Sequence, residues 1–211
     1  PVAQGRVEPK QAAVFAIVIG VAGMAILLLW VNALSAWLTL ASFVGYAFIY
    51  TGYLKHATPQ NIVIGGLSGA MPPLLGWSAV TGTIDAGALI LVLIIFAWTP
   101  PHFCALAIHR KDEYAKSGVP MLPVTHGEHV TKIHIIVYTL MLVLVSVFPF
   151  LSGMSGLLYL VSELALGVGF IVWSGLLMFK PKPSTAMDTF RYLIAYLALL
   201  FIALVVDHYL I

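Results

Sequence analysis

Seven apolar stretches, each long enough to cross a bilayer, dominate this chain of 211 residues. Their approximate limits are 12–30, 33–53, 61–82, 86–108, 130–152, 157–179 and 190–211, and a helix needs about 20 residues to span a hydrocarbon core. At 1.5 Å per residue the first run alone reaches about 28 Å. The runs are continuously apolar instead of alternating, which argues against a transmembrane β-barrel. An all-α, polytopic integral membrane bundle is the fold class that follows. Composition agrees: 61% of residues are hydrophobic and 9% charged, against about 25% charged in soluble domains. The net charge of +2 is too small to point to nucleic acid. The single cysteine, Cys104, excludes an intrachain disulfide and a Cys-based metal cluster. It lies in an apolar run, where packing is the expected role.

The cations order these spans. All ten Lys and Arg residues fall in alternate connections: Arg6 and Lys10; Lys55; Arg110, Lys111, Lys116 and Lys132; Lys180, Lys182 and Arg191. The other connections, near Asn32, Asp85 and Ser155, carry none, and the chain closes on Asp207 and His208. The positive-inside rule places the first set in the cytoplasm or its topological equivalent. An odd number of spans then puts Ile211 on the opposite side. The expected location is a bacterial inner membrane, or the mitochondrial inner membrane in a eukaryote.

Two spans carry proline pairs, Pro72-Pro73 and Pro100-Pro101. Proline has no donor and clashes with the preceding turn, so each pair should interrupt its helix. Backbone groups freed at membrane depth need protein or a polar cavity to satisfy them. Two interruptions at similar depth therefore point to a shared cavity between the third and fourth spans. Gly65 and Gly69 form a G-x-x-x-G pair suited to close helix approach.

The longest polar segment, 109–129, follows the fourth span, with Arg110, Lys111, Asp112, Glu113 and Lys116 clustered together. Cations stabilise a diphosphate through charge-assisted hydrogen bonds. Carboxylates beside them make sense if Mg²⁺ bridges to the anion. The plainer alternative is a cytoplasmic loop whose acids balance its bases. His102 lies inside a span, where ionisable groups are costly and face a cavity or a partner. It suits a general base, a haem-iron ligand or a hydrogen-bonded core histidine. His126, His129 and His134 sit at a membrane end and read as interfacial. Glu163, about 10 Å from the far face by helix rise, is expected to be paired or to snorkel.

The blocks YTGYLKHATPQNIVIGGLSGAMPPLLGW and WTPPHFCALAIHRKDEYAKSGVPMLPVTHG resemble the haem O synthase family, within the intramembrane prenyltransferase (UbiA) superfamily. The similarity runs along essentially the whole chain. It implies nine helices around a lipid-open cavity, of which seven are present here, with two acidic motifs holding Mg²⁺ and a prenyl diphosphate. It also implies the reaction, in which a farnesyl group from farnesyl diphosphate and a water join a vinyl group of haem b, giving haem O and diphosphate. Asp112 with Glu113 matches the second acidic motif and is the implied metal site. Lys55 matches a diphosphate-contacting lysine, Tyr50 and Asn61 belong to the same block, and His102 would face the porphyrin. Asp112, Lys55 and His102 are thus the expected catalytic residues. Arg110, Lys111 and Lys116 join the substrate-binding set on charge and position alone. Two departures stand out. The family's first acidic motif, N-x-x-x-D-x-x-x-D, is absent, and the opening PVAQGRVEP resembles the segment that follows it. Cys104 stands where the family usually has tryptophan.

Expected partners are farnesyl diphosphate, haem b and membrane lipid, with a haem A synthase or terminal-oxidase assembly factor as a protein partner. Competing readings are a prenyltransferase acting on a quinone precursor or other aromatic acceptor, and a non-catalytic haem-binding assembly protein.

Overall fold

The computed structural model describes residues 4–210; the expected position of Ile211 lies outside the described residues. Among these, every regular element is helical. Seven helical stretches are long and apolar enough to cross a membrane: Pro9–Val31, Ala33–Leu54, Asn61–Thr81, Ala86–His109, Gly127–Leu151, Leu157–Phe179 and Thr185–His208. They are called here the first to seventh spans. Local sequence sets several of the ends. Pro9 opens the first span, where a missing donor costs nothing, and Glu8 and Gln11 cap it reciprocally. The Asn32 side chain accepts from the Ser35 amide at 2.8 Å and starts the second span. Its amide nitrogen donates to the Ser78 carbonyl at 2.8 Å, tying that end to the third span. Gly82, at φ +70°, ends the third span in the left-handed conformation that glycine adopts freely.

The fourth span is the centre of the bundle. It packs on the fifth and seventh spans and on the first half of the third, and the sixth span packs on the fifth and seventh. Ile94, Ala97, Leu142, Phe170, Leu193, Tyr196 and Leu200 form the main buried cluster where these helices meet. The first span, by contrast, buries no residue. The second span ends in a wide π-helical segment, Gly45–Leu54, which stacks Tyr46 on Tyr50 with ring centroids 5.3 Å apart.

The two proline pairs behave differently. Pro72 and Pro73 do divide the third span, into Asn61–Gly69 and Pro72–Thr81, and occupy the first turn of the second half. The fourth span runs unbroken from Ala86 to His109 through Pro100 and Pro101. Both prolines are buried there. Neighbouring spans clasp the rod on several sides, so packing outweighs the two lost amide donors. The expected second interruption is absent.

The glycine pair is also different from its sequence pattern. A Cβ on Gly65 would lie 2.3 Å from the Tyr50 ring, and one on Gly66 would lie 2.9 Å from the Thr99 methyl. Gly69 has nothing within 4 Å. Adjacent glycines thus admit two different neighbours, the second span and the fourth, and the i+4 partner admits none.

At the cation-poor end, Asp207 is buried and accepts from the backbone amides of Gly156 and Tyr159, capping the sixth span from the seventh. Glu163 neither pairs nor snorkels. It is 0% exposed, and neither carboxyl oxygen has a hydrogen-bond partner among the described residues. The reason is its place on the sixth span, facing Val143 and the two buried tyrosines Tyr159 and Tyr196 instead of the membrane surface.

Candidate functional site

The polar connection after the fourth span contains two short helices, Lys111–Lys116 and Leu122–Thr125, and the first carries the charges. Its charges are partly committed. The Lys111 ammonium lies 3.3 Å from the Glu128 carboxylate, fastening the loop to the start of the fifth span. Arg110 faces Glu113 at 3.9 Å, an exposed pair of the kind that water readily exchanges. Asp112 and Lys116 are exposed and make no ion pair among the described residues.

Lys55 starts a single helical turn, Lys55–Ala57, and is half-buried. Asn61 is 1% exposed, and its side-chain amide donates to the Lys55 carbonyl at 3.2 Å. Asn61 is therefore placed to hold the turn that carries Lys55, and its burial keeps it from reaching a ligand directly. The Tyr50 ring packs against Gly65, and the Tyr50 carbonyl accepts from the Lys55 amide at the end of the second span. Asp112 and Lys116, four residues apart, share the face of the Lys111–Lys116 helix turned away from Tyr114 and make no ion pair among the described residues. Glu113 and Lys111 point to other partners.

Whether Mg²⁺ suits these residues can be judged from their geometry. Among the described residues, no three His, Cys, Asp or Glu side chains gather to hold a metal ion. Successive helical residues point about 100° apart, and Glu113 is turned to Arg110. Asp112 is left as one free carboxylate. Mg²⁺ held chiefly by substrate phosphates and water needs only one or two carboxylates, and Asp112 fits that part. His126 bonds Thr125 at 2.8 Å and His134 bonds the Val130 carbonyl at 3.1 Å, and among the described residues neither joins a group of three side chains that could hold a metal ion.

His102 lies elsewhere. Its ring is buried and sandwiched between Trp98, at 4.1 Å between centroids, and Phe190 of the seventh span, at 4.3 Å. Phe103 meets its edge at 5.4 Å. Nδ1 has no hydrogen-bond partner among the described residues, so this is not a hydrogen-bonded core histidine. Trp98 is held by its own donor, Nε1 to the Leu193 carbonyl at 2.8 Å.

Beside Trp98 an open apolar groove of about 370 Å³ runs between the fourth and seventh spans, lined by Ile95, Trp98, Ile194, Leu197, Ala198 and Phe201. The junction of the third and fourth spans is instead nearly filled. Its cavity measures about 10 Å³, with Cys104, Tyr138 and His134 among its walls. The cavity expected between the proline-bearing spans is therefore displaced to the other face of the fourth span. The physical reason is the Gly66–Thr99 contact, which draws those two helices together. Cys104 is buried, as a packing residue should be. Reading the sequence missed Trp98, Phe190 and the groove, although Phe190, Ile194, Leu197 and Phe201 follow a helical stripe at i, i+4, i+7 and i+11.

A family model described as the UbiA prenyltransferase family matches residues 1–206. The chain is 63% identical over 210 residues to "Protoheme IX farnesyltransferase 1" of Pseudomonas fluorescens, covering 100% of this chain and 70% of that relative. It is 64% identical over 210 residues to "Protoheme IX farnesyltransferase" of Stutzerimonas stutzeri, again covering 100% and 70%. The protein of the same name in Hahella chejuensis is 62% identical over 209 residues, with 99% and 70% covered. Among solved structures, one described as digeranylgeranylglyceryl phosphate synthase superposes with a TM-score of 0.81 at 19% identity, covering 97% of this chain and 71% of that one. At that identity the likeness concerns the helical fold alone.

Proposed function

The chain belongs to the UbiA prenyltransferase family, and from that premise we propose that it transfers the farnesyl group of farnesyl diphosphate to a vinyl group of haem b. With addition of water, the products are haem O and diphosphate. What supports this reading is the likeness along the whole chain to relatives named protoheme IX farnesyltransferase, together with Lys55, Asp112 and Lys116 at the cation-rich end, where Asp112 and Lys116 make no ion pair among the described residues.

The diphosphate sits against that cytoplasmic-end cluster. Lys55 and Lys116 supply charge-assisted hydrogen bonds to its oxygens, and Arg110 joins them by exchanging out of its exposed pair with Glu113. Lys111 acts at one remove, because its ion pair with Glu128 holds the loop in place. Asp112 would hold Mg²⁺, whose chemistry when bound is to neutralise charge on the diphosphate. Asn61 positions Lys55 through its carbonyl. The carbon–oxygen bond of farnesyl diphosphate breaks with its electron pair leaving on the diphosphate. The terminal vinyl carbon supplies the pair for the new carbon–carbon bond. Water then adds to the cation next to the macrocycle and releases one proton. The apolar wall of Ile95, Trp98, Ile194, Leu197 and Phe201 keeps bulk water from the first cation, which hydrolysis would otherwise consume.

The protein reconstituted in lipid nanodiscs with haem b, farnesyl diphosphate and Mg²⁺ should give haem O by mass. Asp112→Asn should remove that product while haem absorbance titrations stay as in the parent. Full turnover by the variant would take Asp112 out of the site, and a prenylated product from an aromatic acid but not from haem would replace the acceptor. The cation-rich connections face the cytoplasm in this reading. Single cysteines at the exposed Ser117 and Ser152, in a Cys104→Ala background, should label from opposite sides with an impermeant thiol reagent. Labelling of Ser117→Cys from outside intact cells would invert the orientation.

A further inference from the structure

We infer that the porphyrin is held by aromatic stacking against the Trp98–His102–Phe190 ladder, with no bond from His102 to its metal. This rests on the haem-acceptor reading above and adds the mode of recognition. Four observations carry it. First, the two faces of the His102 ring are already covered, at 4.1 Å by Trp98 and 4.3 Å by Phe190. The imidazole is thereby one layer in a stack of three aromatic rings. Second, an imidazole that ligates a metal through one nitrogen characteristically donates from the other to a carbonyl, carboxylate or water, which fixes its tautomer and raises its basicity. His102 Nδ1 is buried with no such acceptor among the described residues. Third, Trp98 belongs both to the ladder and to the 370 Å³ groove. Its indole is pinned there by the Leu193 carbonyl, so a rigid ring faces the open space.

Fourth, the two helices match in register. Ile95, Trp98 and His102 recur at i, i+3 and i+7 on the fourth span. Phe190, Ile194, Leu197 and Phe201 recur at i, i+4, i+7 and i+11 on the seventh. The two stripes face each other along about 10 Å of helix. Together they form an apolar slot that ends in stacked rings, with a groove volume inside the range for small-molecule sites. A broad, flat π system fits such a slot, and offset stacking on an aromatic wall is the favoured arrangement.

The test compares haem b with metal-free protoporphyrin IX, using the protein in nanodiscs and fluorescence or absorbance titration. Stacking predicts dissociation constants for the two porphyrins that agree within about threefold. Trp98→Leu and Phe190→Leu should weaken both porphyrins together, by about threefold to tenfold each. Trp98→Phe, which keeps a ring, should recover most of the loss and shows that the site still folds. His102→Phe should leave the Soret position of bound haem where it stands in the parent protein. Metal-free porphyrin binding more than about tenfold weaker than haem, or a Soret shift on His102→Phe, would establish iron ligation and overturn the inference while the haem-acceptor reading stands. Failure of the parent protein to bind either porphyrin would remove both.

Discussion

Replacing Gly65 by alanine separates the packing seen here from the packing that the G-x-x-x-G spacing suggests. The added methyl would lie 2.3, 2.5 and 3.0 Å from three atoms of the Tyr50 ring, well inside the 3.5–4.0 Å of ordinary carbon contact. The ring must retreat by roughly 1 Å, and overpacking of this kind costs about 1–3 kcal/mol. Alanine also favours a helix over glycine by up to about 1 kcal/mol, which blurs the result for one variant alone. Gly69→Ala supplies the correction, since it lies one turn along the same helix with nothing within 4 Å. The helix preference is common to both and cancels in their difference. Gly65→Ala should therefore be less stable than Gly69→Ala by about 1–3 kcal/mol. Reversible unfolding by SDS in mixed micelles measures that difference. Because the Tyr50 carbonyl accepts from the Lys55 amide, Gly65→Ala should raise the KM for farnesyl diphosphate, and Gly69→Ala should leave it where it was. Two variants equal within about 0.5 kcal/mol, which is ordinary scatter for a neutral substitution, would refute the asymmetric packing.

Further expectations concern individual polar groups. Asn61→Ala should cost about 1–2 kcal/mol through the lost bond to the Lys55 carbonyl and raise the KM for farnesyl diphosphate more than it lowers kcat; steady-state kinetics beside an unfolding titration separates the two. Glu163→Gln keeps the shape of the buried side chain and should match the parent in stability. Glu163→Lys should be destabilised by about 2.5–3.5 kcal/mol or more, and equal stability of the two variants in SDS titration would mean that Glu163 is not buried. At the cation-poor end, hydrogen bonds from Trp77 Nε1 and Thr83 Oγ1 to the exposed Asp85 hold its carboxyl below the ordinary value. A depressed acid contributes above its unfolded value and loses that contribution as pH falls through the folded one. Trp77 fluorescence should therefore step at a pH below the usual aspartate range, and the step should vanish in Asp85→Asn.

Much of the molecule was legible from one-dimensional pattern. Long apolar runs admit a helical membrane bundle and little else, because backbone groups in hydrocarbon must find partners within their own segment. The sorting of Lys and Arg to alternate connections has an equally local cause, the cost of carrying charge across a bilayer. Pro72-Pro73 ended a helix as expected, and Cys104 packed as expected. The blocks around Lys55 and Asp112 were visible too, as residue types suited to the diphosphate of the proposed reaction.

What sequence alone could not supply was which helix faces which. Nothing in the spacing of Gly65 and Gly69 told that Gly66 would take the Thr99 contact. That contact closes the gap between the third and fourth spans and leaves the open groove on the seventh. Nor did Pro100-Pro101 interrupt its helix, because the outcome depended on neighbours clasping the rod on several sides. Glu163 lost its expected partner by facing two tyrosines, and Asp207 found one on the amides of a helix some fifty residues earlier. Lys111 paired with Glu128, while Asp112 and Lys116 make no ion pair among the described residues. Span number and chemical class arise from residues acting within a turn or two of themselves. Pairing, cavity position and the partners of buried charges arise from contacts between distant segments, and those come into being only when the helices assemble.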